Sequence, residues 1–271
     1  MLRLFSIEFY KLRNTRYFWI LAGLFLIFLI SVPIAAKSLL NYLESIGETV
    51  FDGMNPGELP LFDFVDLWQN LTWVYSAFSI FLGFIIVISI SNEFSYGTIK
   101  QNIIDGLSRK EFLWSKLSFI LVASLIVSLL VTIIGLIMGY LWSPVTDLEF
   151  VLLHIEFIPA YFLHLVSFQV FCLVLSLLIK RSGITIALLV FYVYVIEPIL
   201  TAILRFEYDL EWLANLFPMK AIGNIIPLPF GKYLLQETQT SVGMDDLAIL
   251  GGYLALLLFL AYRMMTKRDL R

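Results

Sequence analysis

Long apolar runs separated by short polar ones set the pattern of this chain. Six stretches reach or approach the about 20 apolar residues that a helix needs to cross a hydrocarbon core. They are Tyr17–Ala36, Leu67–Ser91, Leu117–Trp142, Phe157–Ile179, Gly183–Leu204 and Leu247–Met265, and the first four contain no Asp, Glu, Lys or Arg. Glu197 interrupts the fifth, and Arg263 stands near the end of the sixth, where a long side chain can snorkel outward. Helices are the expected elements because in lipid every backbone amide must be satisfied within its own segment. Ahead of the first run, Leu2, Phe5, Phe9 and Leu12 line one side of a further helix, with Arg3, Lys11, Arg13 and Arg16 facing lipid phosphates or a partner. The apolar run after them is longer than a leader's core and SVPIAAKS only loosely resembles a cleavage site, so the first span is expected to stay uncleaved.

Composition agrees. The chain is 60% apolar and 14% charged, with a mean hydropathy of +0.90, against roughly 25% charged residues in soluble domains. Most of the 271 residues are needed for the spans, and no repeat or low-complexity linker divides them. The expectation is one all-α membrane domain over residues 1–271. Fourteen of the 18 Lys and Arg fall on one side of the six spans, leaving Lys37, Arg205, Lys220 and Lys232 on the other. That other side also holds most of the acids, among them Glu44, Glu48, Asp52, Asp63, Asp66, Glu207, Asp209, Glu211, Asp245 and Asp246. Since cytoplasmic loops keep positive charge, both termini are expected in the cytoplasm of a bacterial or archaeal cell, with the chain in its inner membrane.

The stretch NEFSYGTIKQNIIDGLSRKEF, Asn92 to Phe112, is the one long polar interruption in the middle third. Ile99, Ile103 and Ile104 fall at helical spacing, with Lys100, Gln101, Asn102 and Asp105 on other faces, which predicts a short surface helix. Gly106 suits its end, and Ser108 with Glu111 forms the capping-box pattern that starts the next helix. A solvated, positively charged connection is one account of such a loop. A second comes from resemblance. Glu93-x-x-x-Gly97-Thr98, then Gly106-x-Ser108-Arg109 and Lys116, between the second and third of six spans, resembles the first cytoplasmic loop of ABC-2 type transporter permeases. LRLFSIEFYKLRNTRYF likewise resembles that family's interfacial helix. The likeness of topology covers nearly the whole chain, and the likeness of motif its N-terminal two fifths.

This resemblance implies a coupling helix that docks on a separate ABC ATPase subunit. Glu93, Arg109 and Lys110 would supply polar contacts, Gly97 and Gly106 the tight turns. It also implies a second permease subunit, identical or homologous, with ATP and Mg bound by the ATPase and no cofactor on this chain. No G-x-x-x-x-G-K-[ST] loop occurs in the sequence, so the energy of transport would come from that partner, and the chain is not expected to be an enzyme. Membrane lipid is an expected contact and nucleic acid is not.

Glu197 stands directly before Pro198, whose missing amide frees a carbonyl one turn earlier and favours a kink. A carboxylate within a span costs several kcal/mol unless it is protonated, paired or wet. Two accounts stand: an outward-facing gate or substrate contact, and a carboxylate capped by a neighbouring helix terminus or by the Tyr192 or Tyr194 hydroxyl. Glu156 lies at the outer edge of the fourth span, where a wet acid costs little. His154 and His164 are expected to pack or hydrogen-bond at the interface, and Cys172 to pack in its apolar run. Trp68, Trp73, Trp142 and Trp212 fall near span ends, as an interfacial aromatic belt would place them.

The segment after the fifth span is apolar yet broken by Pro218, Gly223, Pro227, Pro229 and Gly231. It suggests two half-helices dipping back into the outer leaflet, or else a cap of short external helices. The first external loop, Lys37–Asp66, with Gly53, Pro56, Gly57 and Pro60, reads as an acidic lid. Uniformly apolar spans with no basic cavity lining favour a lipid, hydrophobic peptide or amphipathic drug as cargo. The resemblance to ABC-2 type permeases implies that the chain is a subunit of an ATP-driven exporter. The alternatives are an ion-coupled carrier or intramembrane enzyme centred on Glu197, and a non-transporting scaffold.

Overall fold

The computed structural model describes residues 2–47, 49, 55, 59–104, 106–229 and 241–267. Expectations placed on Glu48, Asp52, Gly53, Pro56, Gly57, Asp105, Gly231, Lys232, Arg268 and Arg271, and on the side chains of Leu2, Lys100, Asn102, Ile103 and Lys267, lie outside the described residues. The described residues are mostly helical, with turns and irregular segments between the helices and no strand among them. In chain order the helices are α1 (Leu2–Arg13), α2 (Arg16–Ser45), α3 (Phe64–Ala77), α4 (Ser79–Ser95), α5 (Thr98–Ile104), α6 (Arg109–Trp142) and α7 (Leu148–Leu152). They continue as α8 (Phe157–Ile179), α9 (Ser182–Phe191), a π-helical turn (Tyr192–Ile196), α10 (Glu197–Phe206), α11 (Glu211–Ala214), α12 (Pro218–Gly223) and α13 (Met244–Lys267), with α9, the π turn and α10 running on as one stretch, Ser182–Phe206. Six helical stretches are long and apolar enough to cross a membrane.

The expected spans lie inside these stretches, and the differences are at their ends. α2 runs nine residues past Ala36 to Ser45, because Lys37, Leu39, Leu40 and Glu44 continue as good helix formers after the apolar run stops. α6 starts at Arg109, eight residues before Leu117, and its 34 residues span about 50 Å at 1.5 Å per residue. That exceeds a hydrocarbon core of about 30 Å, so part of α6 extends beyond it. The second span is two helices, α3 and α4, joined at Phe78.

α8 is the centre of the bundle. Of the best membrane-spanning window in Leu148–Ile179, 72% is buried within the protein, against 17% for α2, Ser182–Phe206 and α13. Small residues let its neighbours approach, as membrane helices need when lipid is as apolar as their side chains. An added Cβ at Gly83 of α4 would come within 2.8 Å of Cys172 and Phe168 on α8. At Gly139 of α6 a Cβ would meet Phe64 at 2.3 Å, and at Gly135 it would meet Trp68 at 2.7 Å. Trp68 is therefore a core residue and not part of an aromatic belt. It is fully buried, and its indole N–H donates to the Val151 carbonyl at 2.8 Å. Trp212 is exposed as a belt residue would be.

Pro33 lies inside α2 and cannot donate to the Leu29 carbonyl one turn earlier. The buried Tyr75 hydroxyl of α3 donates to that carbonyl at 2.6 Å. One proline thus creates an acceptor that fastens two spans together.

Candidate functional site

Two polar sites stand at opposite ends of the bundle. The first lies where α1, α4 and α6 meet. Lys116 is 1% exposed, and its ammonium has three donors. They go to the Glu8 carboxylate, to Ser89 Oγ at 2.9 Å and to Glu93 Oε1 at 2.6 Å. Ser89 in turn donates to Glu8 Oε1 at 3.0 Å. Lys11 reaches Glu93 Oε1 at 3.5 Å from the rim. Four side chains from three helices therefore share a cluster in which Glu8, Glu93 and Lys116 are all buried. Glu8 and Ser89 are the members that sequence reasoning missed, and Glu8 is the charged one. Its signal is positional: it stands three residues after Phe5 and four before Leu12, on the apolar stripe of α1.

Above this cluster the chain makes a compact excursion. α4 ends at Tyr96, and Gly97 takes the left-handed conformation at φ 67°, turning the chain into α5. Gly106, at φ 99°, turns it back. Ser108 then caps α6: its hydroxyl accepts from the Glu111 N–H at 3.2 Å, while its own N–H donates to Glu111 Oε2 at 2.8 Å. The capping box read from the sequence is present in full.

The candidate residues of this loop divide into two groups. Gly97, Thr98, Gly106 and Ser108 are exposed. Glu93, Arg109 and Lys110 are engaged within the chain. Glu93 holds Lys116; Arg109 Nη1 donates to the Met265 and Thr266 carbonyls at 3.4 Å, at the end of α13; and Lys110 lies 5.6 Å from the Tyr262 ring centre. Among the described residues of the loop, the large apolar side chains that face outward are Tyr96 and Ile104, each 78% exposed, whereas Ile99 is buried. The loop thus exposes two large apolar side chains, beside the exposed polar Ser95, Thr98 and Gln101, on a base fixed by ion pairs and caps.

The second site surrounds Glu197, which is 1% exposed. The π turn brings the Glu197 N–H onto the Tyr192 carbonyl, five residues back, where Pro198 interrupts the ordinary ladder. The carboxylate accepts from the Met219 N–H at 3.0 Å and the Lys220 N–H at 2.7 Å. These are amides of the first turn of α12, whose own N-cap, Phe217, offers no side-chain acceptor. Glu197 supplies the missing cap from another helix. Of the two accounts open for it, the capped carboxylate is the one observed: the neighbouring helix terminus donates to it, the Tyr192 hydroxyl hydrogen-bonds it as well, and Tyr194 is exposed.

The same residues border an open cavity of about 570 Å³. Trp73, Val193, Phe206 and Leu228 contribute apolar walls, and Arg205 and Lys220 two cations. The expectation that no cavity has a basic lining is corrected here. It failed because Arg205 and Lys220 are fifteen positions apart, and only the return of α12 against α10 brings them together. Arg205 Nη2 donates to Asn215 Oδ1 at 2.6 Å. Burial pulls Lys220 below the usual lysine pKa and repulsion from Arg205 adds to this, while Glu197 opposes them.

Other polar residues are tied down. His164 is buried with Nδ1 3.0 Å from the Ile222 carbonyl, His154 lies 3.2 Å from Glu156, and Gln69 donates to the Pro227 carbonyl at 3.1 Å. Cys172 is buried. Among the described residues, no three His, Cys, Asp or Glu side chains are grouped to hold a metal ion. No curated protein matches the chain. The model of the family described as "Protein of unknown function (DUF2705)" matches residues 19–271, from the first span through the last, and the chain belongs to that family.

Proposed function

We propose that the chain is the permease subunit of an ATP-driven exporter of the ABC-2 type, working with a second permease subunit and two ATPase subunits. The observation that carries this reading is the α5 excursion, whose exposed Tyr96 and Ile104 sit on a base clamped by Glu8, Lys116 and Glu93. A solvated connection needs neither apolar side chains at its tip nor a buried ion cluster at its root. Both features suit a knob that seats in a cleft and passes force to the spans. On this reading the α1 end is cytoplasmic, in agreement with its excess of Lys and Arg, and α11 and α12 are half-helices returning into the outer leaflet. ATP and Mg belong to the partner.

A carrier or enzyme centred on Glu197 is less favoured because both carboxylate oxygens are engaged by backbone amides. Such a group caps a helix and is poorly placed to shuttle a proton.

The test is co-purification. The full chain is expressed with its neighbouring genes, and any ATPase recovered in the detergent-extracted complex is identified and its stoichiometry measured for wild type, Tyr96→Asp and Ile104→Asp. The expected result is a complex with the wild-type chain and loss of most ATPase from both variants, which still fold because both positions are exposed. Equal recovery with the variants would remove α5 as the docking element.

A further inference from the structure

We propose that the cavity between α10 and α12 binds an anionic lipid by its phosphate, with Arg205 and Lys220 as the recognising cations. This inference rests on the cavity alone and does not require the permease reading. About 570 Å³ accommodates a phosphate headgroup with the first atoms of its chains, within the range of small-ligand sites. The walls are predominantly apolar, which a free inorganic anion would not need. Beyond them the outer surface of α10 exposes Ile199, Leu200 and Ile203, so a lipid chain leaving the cavity continues along an apolar helix face.

The charges also favour an anion. Glu197 borders the cavity with one negative charge, its oxygens held by backbone N–H donors, against the two positive charges of Arg205 and Lys220. Glu211 lies 3.6 Å from Arg205, but it is 70% exposed and outside the lining, where an ion pair is weak and screened. Arg205 is oriented by Asn215, and among the described residues its buried Nε has no hydrogen-bond acceptor. The Lys220 ammonium has no ion pair among the described residues, and at Lys220 the repulsion of Arg205 exceeds the attraction of Glu197. A phosphate placed between the two cations would take up the free Nε–H and the ammonium donors, and charge-assisted bonds of this kind are the strong ones.

The experiment uses the purified full chain in neutral detergent, titrated with short-chain phosphatidylglycerol, short-chain phosphatidylcholine or inorganic phosphate, with bound ligand counted by native mass spectrometry. Phosphatidylglycerol is expected to bind in preference to phosphatidylcholine. Its affinity should fall by about tenfold in Lys220→Gln and in Arg205→Gln, be partly restored in Arg205→Lys, and stay unchanged in Lys37→Gln. Among the described residues the Lys220 ammonium has no hydrogen bond or ion pair, so a melting temperature equal to wild type in Lys220→Gln separates loss of binding from loss of fold. Equal affinity in the wild type and Lys220→Gln, or an equal loss in Lys37→Gln, would overturn the site. Inorganic phosphate displacing the lipid at equal concentration would overturn the assignment to lipid.

Discussion

The two ends of the bundle bury carboxylates by different means, and the difference separates a joint from a pocket. At the α1 end, Glu8 and Glu93 share the positive charge of Lys116, with Lys11 at the rim, so three helices depend on one buried ammonium. At the opposite end, Glu197 is held by two main-chain amides, and its one negative charge faces the two positive charges of Arg205 and Lys220. A side-chain ion cluster couples the elements that contribute to it. A backbone cap fixes one short helix and leaves side-chain charge available to a ligand.

Removal of the shared cation gives the largest expected effect. Lys116→Met strands two buried carboxylates, and breaking a buried pair from one side costs about 3–5 kcal/mol. Thermal unfolding in detergent should show a severe loss, while Glu8→Gln/Glu93→Gln/Lys116→Met should recover most of it because no buried charge remains. A triple variant as unstable as the single one would mean that the cluster's shape matters more than its charge.

Glu197→Gln should cost less, about 1–3 kcal/mol. The amide keeps one acceptor for α12 and turns an NH2 group toward the other N–H. Limited proteolysis should then cut first near residues 211–229, with the α1 end still protected. Ser108→Ala removes half of the capping box and should cost about 1 kcal/mol, read as a small fall in melting temperature. Lys220→Gln comes last: an ammonium with no hydrogen bond or ion pair among the described residues should change stability by less than about 0.5 kcal/mol when removed. A large loss in this last variant would erase the distinction between joint and pocket.

Much of the molecule is legible in the sequence because lipid enforces simple rules. Span number and position follow from apolar length, and the turn into α6 from Ser108 and Glu111. Glu197 stands out as the lone acid in an apolar run. Glu8 does not, because α1 carries charges along its whole length and the acid looks solvated. Only its meeting with Lys116, 108 positions away, makes it a buried group. Trp68 misleads in the opposite direction: it lies near a span end, but Gly135 and Gly139 make room for aromatic rings inside. The basic cavity is equally hidden, since Arg205 and Lys220 belong to different helices separated by a turn of unremarkable composition.

The central claim is that the α5 tip docks and the Glu8–Lys116–Glu93 cluster transmits the motion. The most direct measurement is ATP hydrolysis by the proposed ATPase subunit reconstituted in vesicles with this chain, comparing wild type with the charge-free triple variant. The account predicts that the variant retains its partner and loses most of the stimulation of ATP turnover. Stimulation equal to wild type in a fully assembled variant complex would contradict it.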